Sequence, residues 1–344
     1  MTGIRTSCWA AAAILCWMAP SSQVLAENIV LKEIGSFHVG GRKVTVEGLP
    51  AKEVAFSPGS VPFKVDPNGD YQTGQMYVQY YKQAAPKAKY PLLLWHGGGL
   101  TGVSWETKPD GRPGFQDFFL RAGHDLYVSD SAERGRSSFS RTPEVYKTEP
   151  QFRTANEAWS LFRFGPNGSY GTRKTFDGVQ FPVDQLEQFG KQGVARWLDS
   201  DAMIQAAYDA LIDKICPCVV MTHSQGGLFG FNAALRAPDK IKALISLEPG
   251  TPPPAQKVDD RVKGIPFLVV WGDFIDQSAY WTQKVPPIRQ FTDALAAHGG
   301  RVDWVDLPKI GIKGNTHMLM MDKNSEEIAT LVQKWMISQG LAAE

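Results

Sequence analysis

The chain predicts an α/β architecture: a doubly wound, mostly parallel sheet of about eight strands, with one aromatic-rich excursion. Three observations carry this. Short, continuous apolar runs recur along the chain, as strands buried on both faces require. Helical patterns fall between them. One stretch, from 131 to about 199, breaks the alternation while carrying many aromatics.

The elements follow in order. Residues 36–47 suit a first strand or extended hairpin, and 75–83 alternate as an antiparallel strand with one wet face does. The buried runs are then 90–95, 124–129, 218–222, 243–247 and 265–271, and 302–307 closes the series. Helices are expected near 113–122, 200–214, 226–237, 285–298 and 325–338. The excursion, about 137–198, holds Trp159, Phe162, Phe164, Phe176, Phe181, Phe189 and Trp197 among others. A structureless loop of that length does not belong inside a compact domain. It reads as a cap over the strand ends, its aromatics supplying at least a core of its own.

Composition bounds the function. The 344 residues are 43% hydrophobic and 21% charged with a net charge of +1, which gives no reason to expect nucleic acid or an anionic membrane surface as partner. Residues 1–26 have the order of an export signal: Arg5, the apolar run Cys8–Ala19, Pro20, then the small-residue site Val24-Leu25-Ala26. Cleavage there would leave residues 27–344 as one domain, periplasmic or secreted, with no membrane anchor. It would also leave Cys216 and Cys218 as the last two cysteines. Only Pro217 separates them, so a tight bridge and a pair of thiols both remain open.

The chemistry concentrates where strands end, which is where doubly wound sheets bind ligands. Cys218-Val219-Val220-Met221 runs into Thr222-His223-Ser224-Gln225-Gly226-Gly227 and then into a helical pattern. Strand, sharp turn and helix around a Ser with small neighbours form the setting of a nucleophile elbow. The helix N-terminus adds free N–H groups and a positive dipole end. Thr222 stands where the usual G-x-S-x-G pattern has its first Gly. A serine nucleophile needs a base, an orienting acid and an oxyanion hole. His298 and His317 both lie well beyond Ser224. His298 precedes Gly299-Gly300 at a helix end, a structural position, whereas His317 sits in a Gly-punctuated loop after the last strand and is the expected base. The acid is Glu248, ending the run before Pro249-Gly250, or alternatively Asp276 after the next strand. A carboxylate ending a buried strand is costly without a partner, which favours Glu248 facing His317. Asp273 would instead bond local backbone. His96-Gly97-Gly98-Gly99 directly follows a strand, and its backbone can approach a substrate carbonyl closely. The N–H groups of Gly98 and Gln225 would form the oxyanion hole, each donor worth about 3 kcal/mol in the barrier. His96 would support that turn. The fragment Asp130–Ser138 would brace the elbow by hydrogen bonds.

On these residues the chain resembles the α/β-hydrolase superfamily. Its H-G-G-G turn is shared with lipases and esterases. Its H-S-Q-G-G elbow with Leu247-Glu248-Pro249-Gly250 looks most like a group of exported bacterial serine esterases that use Glu as triad acid. The resemblance implies Ser224 as nucleophile, His317 as base, Glu248 as acid, and Gly98 and Gln225 as oxyanion donors. It implies no cofactor and no metal, with a small-molecule ester as the partner. The aromatic cap favours apolar or cyclic esters. Lactone, amide or polyester hydrolysis could run on the same triad. A dehalogenase or epoxide hydrolase would want Asp at position 224. A non-catalytic binding module would be expected to have lost a triad member.

Overall fold

In the computed structural model, residues 28–140 and 145–343 are described. The export signal expected at 1–26 lies outside them. Two long strands, β1 (Leu31–Val46) and β4 (Gly69–Gln83), pair antiparallel along their whole length. Between them a separate two-stranded ribbon, β2 (Lys52–Val54) and β3 (Phe63–Val65), interrupts the chain without joining the main sheet. The remaining strands are β5 (Leu92–Trp95), β6 (Leu126–Asp130), β7 (Cys218–His223), β8 (Ile241–Leu247), β9 (Pro266–Trp271) and β10 (Arg301–Asp306). The main sheet has eight strands in the order β1-β4-β6-β5-β7-β8-β9-β10. From β6 onward every pairing is parallel, while β4 joins β6 antiparallel.

The continuous apolar runs are explained by what lies on each face. Leu92, Leu94, Val219, Met221, Leu268 and Val270 point into one core cluster. Leu93, Trp95, Cys218, Val220, Phe267, Val269 and Trp271 point into the other. Strand side chains alternate between faces, so a strand covered on both sides needs apolar residues at every position. Helices α1 (Phe115–Arg121) and α7 (Ser325–Ser338) cover the first face; α4 (Asp201–Ile215), α5 (Gly226–Arg236) and α6 (Ala279–Ala297) cover the second.

Helix α6 begins six residues before the expected 285. A start at 285 would put Pro286-Pro287 in a first turn, where missing N–H groups cost nothing. In the structure Ser278 caps the helix, accepting from Trp281 N–H, and the prolines lie inside it. The indole of Trp281, fully buried, donates to Leu161 O at 2.7 Å and anchors this extra turn.

The excursion contains α2 (Ala155–Leu161), α3 (Leu186–Gly190) and three-residue helical turns. Most of its buried aromatics do not build a core apart from the sheet. Trp159, Phe162, Phe164, Phe181 and Phe189 belong to the same buried cluster as Leu94, Met221 and Val270. The Phe164 and Phe181 rings stack at 3.9 Å, and Phe189 meets both edge-on. Tyr146 and Trp197 form a second, smaller cluster. Cys216 and Cys218 are joined as a disulfide where α4 hands over to β7.

Candidate active site

The expected turn after β7 is present, and Ser224 stands in it with φ +52°. A non-glycine residue in the left-handed region carries strain and persists only when its surroundings hold it. They do so through the backbone. Ser224 N–H donates to Leu247 O at 3.1 Å, and Ser224 O accepts from Gly227 and Gly250 N–H at 3.0 and 2.9 Å. The turn after β7 is thereby laced to the turn after β8. Glu248 in that second turn also has a positive φ, +51°.

Close packing explains the glycines and the Thr. A methyl on Gly226 would sit 2.8 Å from Trp95 O, and one on Gly227 would sit 2.9 Å from Pro249 Cβ. Thr222 is fully buried, its hydroxyl 3.0 Å from that of Ser246. Space for its methyl comes from across the interface: a Cβ on Gly230 in α5 would lie 2.6 Å from Thr222 Cγ2 and 2.9 Å from Leu244 Cδ1. The bulk that the usual pattern forbids on the strand is removed from the helix instead. Gly230→Ala should therefore destabilise the fold by about 1–3 kcal/mol, although Ala is favoured over Gly in a helix by about 1 kcal/mol. Thr222→Ala in the same chain should recover part of that loss. Additive effects in a thermal-denaturation double-mutant cycle would show that the two positions do not share this space.

The structure brings Glu248 and His317 together and leaves Asp276 out. His317 Nδ1 lies 3.0 Å from Glu248 Oε2, both side chains essentially without solvent exposure. Asp276 is exposed in the turn after β9. Asp273, as expected, accepts from backbone, from Phe274 and Gly314 N–H. His298 is a partly exposed helix-end residue beside Asp260. The loop carrying His317 is held by buried Asp322, which accepts from Asn315 Nδ2, Thr316 N–H and Thr316 Oγ1. Burial pushes the Asp322 carboxyl up to about 7 against those three donors.

Glu248 has a second partner that sequence reasoning missed. Arg163, just past α2 and with no side-chain exposure, donates from Nη2 to Glu248 Oε1 at 2.6 Å and from Nε to Asp273 O at 2.7 Å. Gly272 N–H donates to the same Oε1 at 2.5 Å. Burial acts to raise the Glu248 carboxyl, but the charge of Arg163 and hydrogen bonds from His317 and Arg163 outweigh it and hold it at about 2. The ionised carboxylate accepts, so Nδ1 carries the imidazole proton and Nε2 keeps its lone pair. Burial, foremost, depresses the His317 pKa; Glu248 acts to raise it, while Arg163 and Arg153 lower it further. Nothing in the local sequence Leu161-Phe162-Arg163-Phe164 marks the Arg: a single charge among aromatics reads as a surface residue.

The glycine turn closes over the serine. A methyl on Gly97 would sit 3.1 Å from Ser224 Cβ, and one on Gly98 would sit 3.0 Å from both Arg196 Nη1 and Gln225 Oε1. His96 supports the turn as expected, with Nδ1 on Gly97 O at 2.8 Å and Nε2 accepting from Ser131 N–H at 2.9 Å. The segment 130–138 therefore braces the glycine turn rather than the elbow. Asp130 accepts from Gly102 N–H and from the backbone and side chain of Arg136, and Ser137 ties it to β4 through Tyr77 N–H. His223, next to the serine in the chain, donates from Nε2 to His317 O at 2.8 Å, which commits that nitrogen to holding the His317 loop. Next to the turn lies a cavity of about 150 Å³ lined by Gly98, Gly99, Leu100, Ala158, Phe162, Leu186 and Phe189, with Arg153 also on its wall.

The family model described as the alpha/beta hydrolase fold matches residues 90–278, more than half of the chain. The protein belongs to the alpha/beta hydrolase fold family. Among solved structures similar to this hydrolase-fold chain is one described as a novel bacterial esterase. It is 34% identical, has a TM-score of 0.78, and the match covers 91% of this chain and 98% of that one. A protein named as a probable secreted lipase, phiG, from Fungal sp. (strain ATCC 74256), is 29% identical over 327 residues, covering 79% of this chain and 88% of its own. Among the described residues of the hydrolase, no helix is long and apolar enough to cross a membrane.

Proposed function

We propose that this hydrolase is an exported serine carboxylesterase acting on esters of apolar or cyclic compounds through an acyl-enzyme on Ser224. His317 Nε2 takes the Ser224 Oγ proton as Oγ attacks the ester carbonyl. The tetrahedral oxyanion is met by the N–H groups of Gly98 and Gln225. The imidazolium returns its proton to the departing alcohol, and water releases the acid by the same route in reverse. Glu248 keeps the imidazole in the tautomer whose lone pair is on Nε2. The observation that carries the reading is the buried 3.0 Å contact of Glu248 with His317 Nδ1, made from a turn that is backbone-bonded to the one holding Ser224 at φ +52°. The likeness to a bacterial esterase and to a probable secreted lipase supports ester hydrolysis. The leader-like residues 1–26 and that secreted relative support export.

The wall of Leu100, Ala158, Phe162, Leu186 and Phe189 supports an apolar group beside the reacting carbon. Its volume is well below the roughly 300–1,000 Å³ of a pocket that encloses a whole drug-sized ligand. It suits one short moiety of the ester rather than the entire substrate. A panel of p-nitrophenyl esters tests this: acetate and butyrate should turn over well and a negatively charged succinate half-ester poorly. Preference for the charged ester would refute the apolar reading, and a protein inert to all of them and unlabelled by a fluorophosphonate would refute the esterase.

A further inference from the structure

Three successive residues at the end of α2 each hold part of the Ser-His-Glu constellation. Leu161 O accepts from the Trp281 indole, whose ring centre lies 4.3 Å from that of His317. Phe162 O accepts His317 N–H at 3.0 Å, and the Phe162 ring stacks on the imidazole. Arg163 reaches Glu248 and lies against the face of Trp281. We infer that Arg163 is a positioning residue for the catalytic pair: it neutralises the buried Glu248 so that His317 can remain an uncharged base.

Charge balance and the two oxygens of Glu248 assign this role, given the triad reading above. Glu248 has two oxygens. Oε1 is committed to Arg163 and Gly272 N–H, which turns Oε2 to His317 Nδ1. A buried carboxylate is tolerated only when paired. If His317 were its only side-chain partner, the pair would be most stable with the imidazole protonated, and a protonated imidazole cannot accept the serine proton. With Arg163 present, carboxylate and guanidinium balance and the imidazole can stay neutral. Arg163 itself is in the left-handed region, φ +60°, the third strained residue of the site.

The charged and titratable groups around His317 are Glu248 from the turn after β8, Arg163 and the more distant Arg153 from the excursion, His223 from β7, and Asp322 on its own loop. Burial pushes Asp322 up to about 7 while Arg163 acts to lower it, so the His317 ring is followed directly by NMR. Burial foremost, then the neighbouring His317, keeps His223 far below its ordinary value, so it is neutral through the working range. Trp281 from α6 contributes no charge. Removing the Arg163 cation leaves Glu248 as the dominant charge on the imidazole, which raises the His317 pKa and makes the base protonated at higher pH.

The test compares Arg163→Lys, Arg163→Gln and Arg163→Met with the wild type. It reads the acid limb of kcat/KM for p-nitrophenyl butyrate, the pH dependence of fluorophosphonate labelling, and the His317 ring by NMR titration, which needs no turnover. In the neutral variants the acid limb and the ring titration should move up by about one pH unit or more. In Arg163→Lys, with the charge kept, they should stay within a few tenths of the wild type although kcat falls. Unmoved limbs in a labelled, folded Arg163→Gln would overturn the inference alone. So would a shift in Arg163→Lys as large as in Arg163→Gln, or, should no neutral variant fold, any upward shift in Arg163→Lys near a full unit. Failure of wild-type Ser224 to label would instead overturn the esterase reading.

Discussion

Ser224→Ala should lower ester hydrolysis roughly 10⁶-fold, to the residual rate that binding and the oxyanion donors alone support. The same variant should lose fluorophosphonate labelling while its circular dichroism is unchanged. The expectation of an intact fold is structural: the contacts that hold this turn are backbone bonds of Ser224 N and O, which Ala keeps. Ala keeps the strained φ as well. Ser224→Gly should be equally inactive but more stable than Ser224→Ala by about 1 kcal/mol, because Gly adopts φ +52° at no steric cost. A higher melting temperature for Gly than for Ala would thus report the strain, and loss of activity in both would report the hydroxyl. Activity surviving in either variant within tenfold of the wild type would remove Ser224 from the mechanism.

Glu248→Gln and Asp276→Asn should separate the two carboxylates that the sequence leaves open. Loss of the Glu248 charge should cost about 10⁴ in kcat, because a neutral amide no longer holds the Nδ1–H tautomer or stabilises the imidazolium. It should also cost about 3–5 kcal/mol of stability, since Arg163 is left buried without its counter-charge. Asp276→Asn changes an exposed turn residue and should leave kcat within about twofold and stability within about 0.5 kcal/mol. Glu248→Asp is the control for folding: it keeps the charge, but one methylene fewer cannot reach both Arg163 and His317, so it should fold better than Glu248→Gln and still be slow. The reverse pattern, with Asp276→Asn the inactive one, would assign the acid to the turn after β9. Acid stability gives an independent reading. A carboxyl held at about 2 stabilises the fold above its unfolded value of 4.5, and that contribution disappears as pH falls from 4.5 through 2.

Much of this hydrolase could be read before its structure. Apolar runs at 90–95, 218–222, 243–247 and 265–271 read as strands covered on both faces, because nearly every position is apolar and no helix of five to seven residues would be stable alone. Helices between those strands make them parallel neighbours, and in such sheets ligand sites collect at the carboxyl ends of the strands. Ser224, His317 and the Gly97–Gly99 turn stand out as candidates in the sequence because each proposed chemistry has a local requirement: small neighbours, a loop after the last strand, a backbone free to approach.

What only the tertiary structure decided has no local requirement. The choice of Glu248 over Asp276 as partner of His317 is a contact between residues 69 apart, set by how the Asp322-braced loop folds back over the strand ends. Arg163 reaches Glu248 across 85 residues from an excursion with no periodic pattern. Gly230 makes room for Thr222 through a helix–strand contact, so the departure from the usual elbow and its compensation lie in different elements. The bridge between Cys216 and Cys218, the ribbon of β2 and β3, and the early start of α6 at Ala279 are likewise settled by packing. Periodicity and turn chemistry are properties of neighbours along the chain and survive in a string of letters. Charge pairing and steric fit are properties of neighbours in space, and they exist only once the chain has folded.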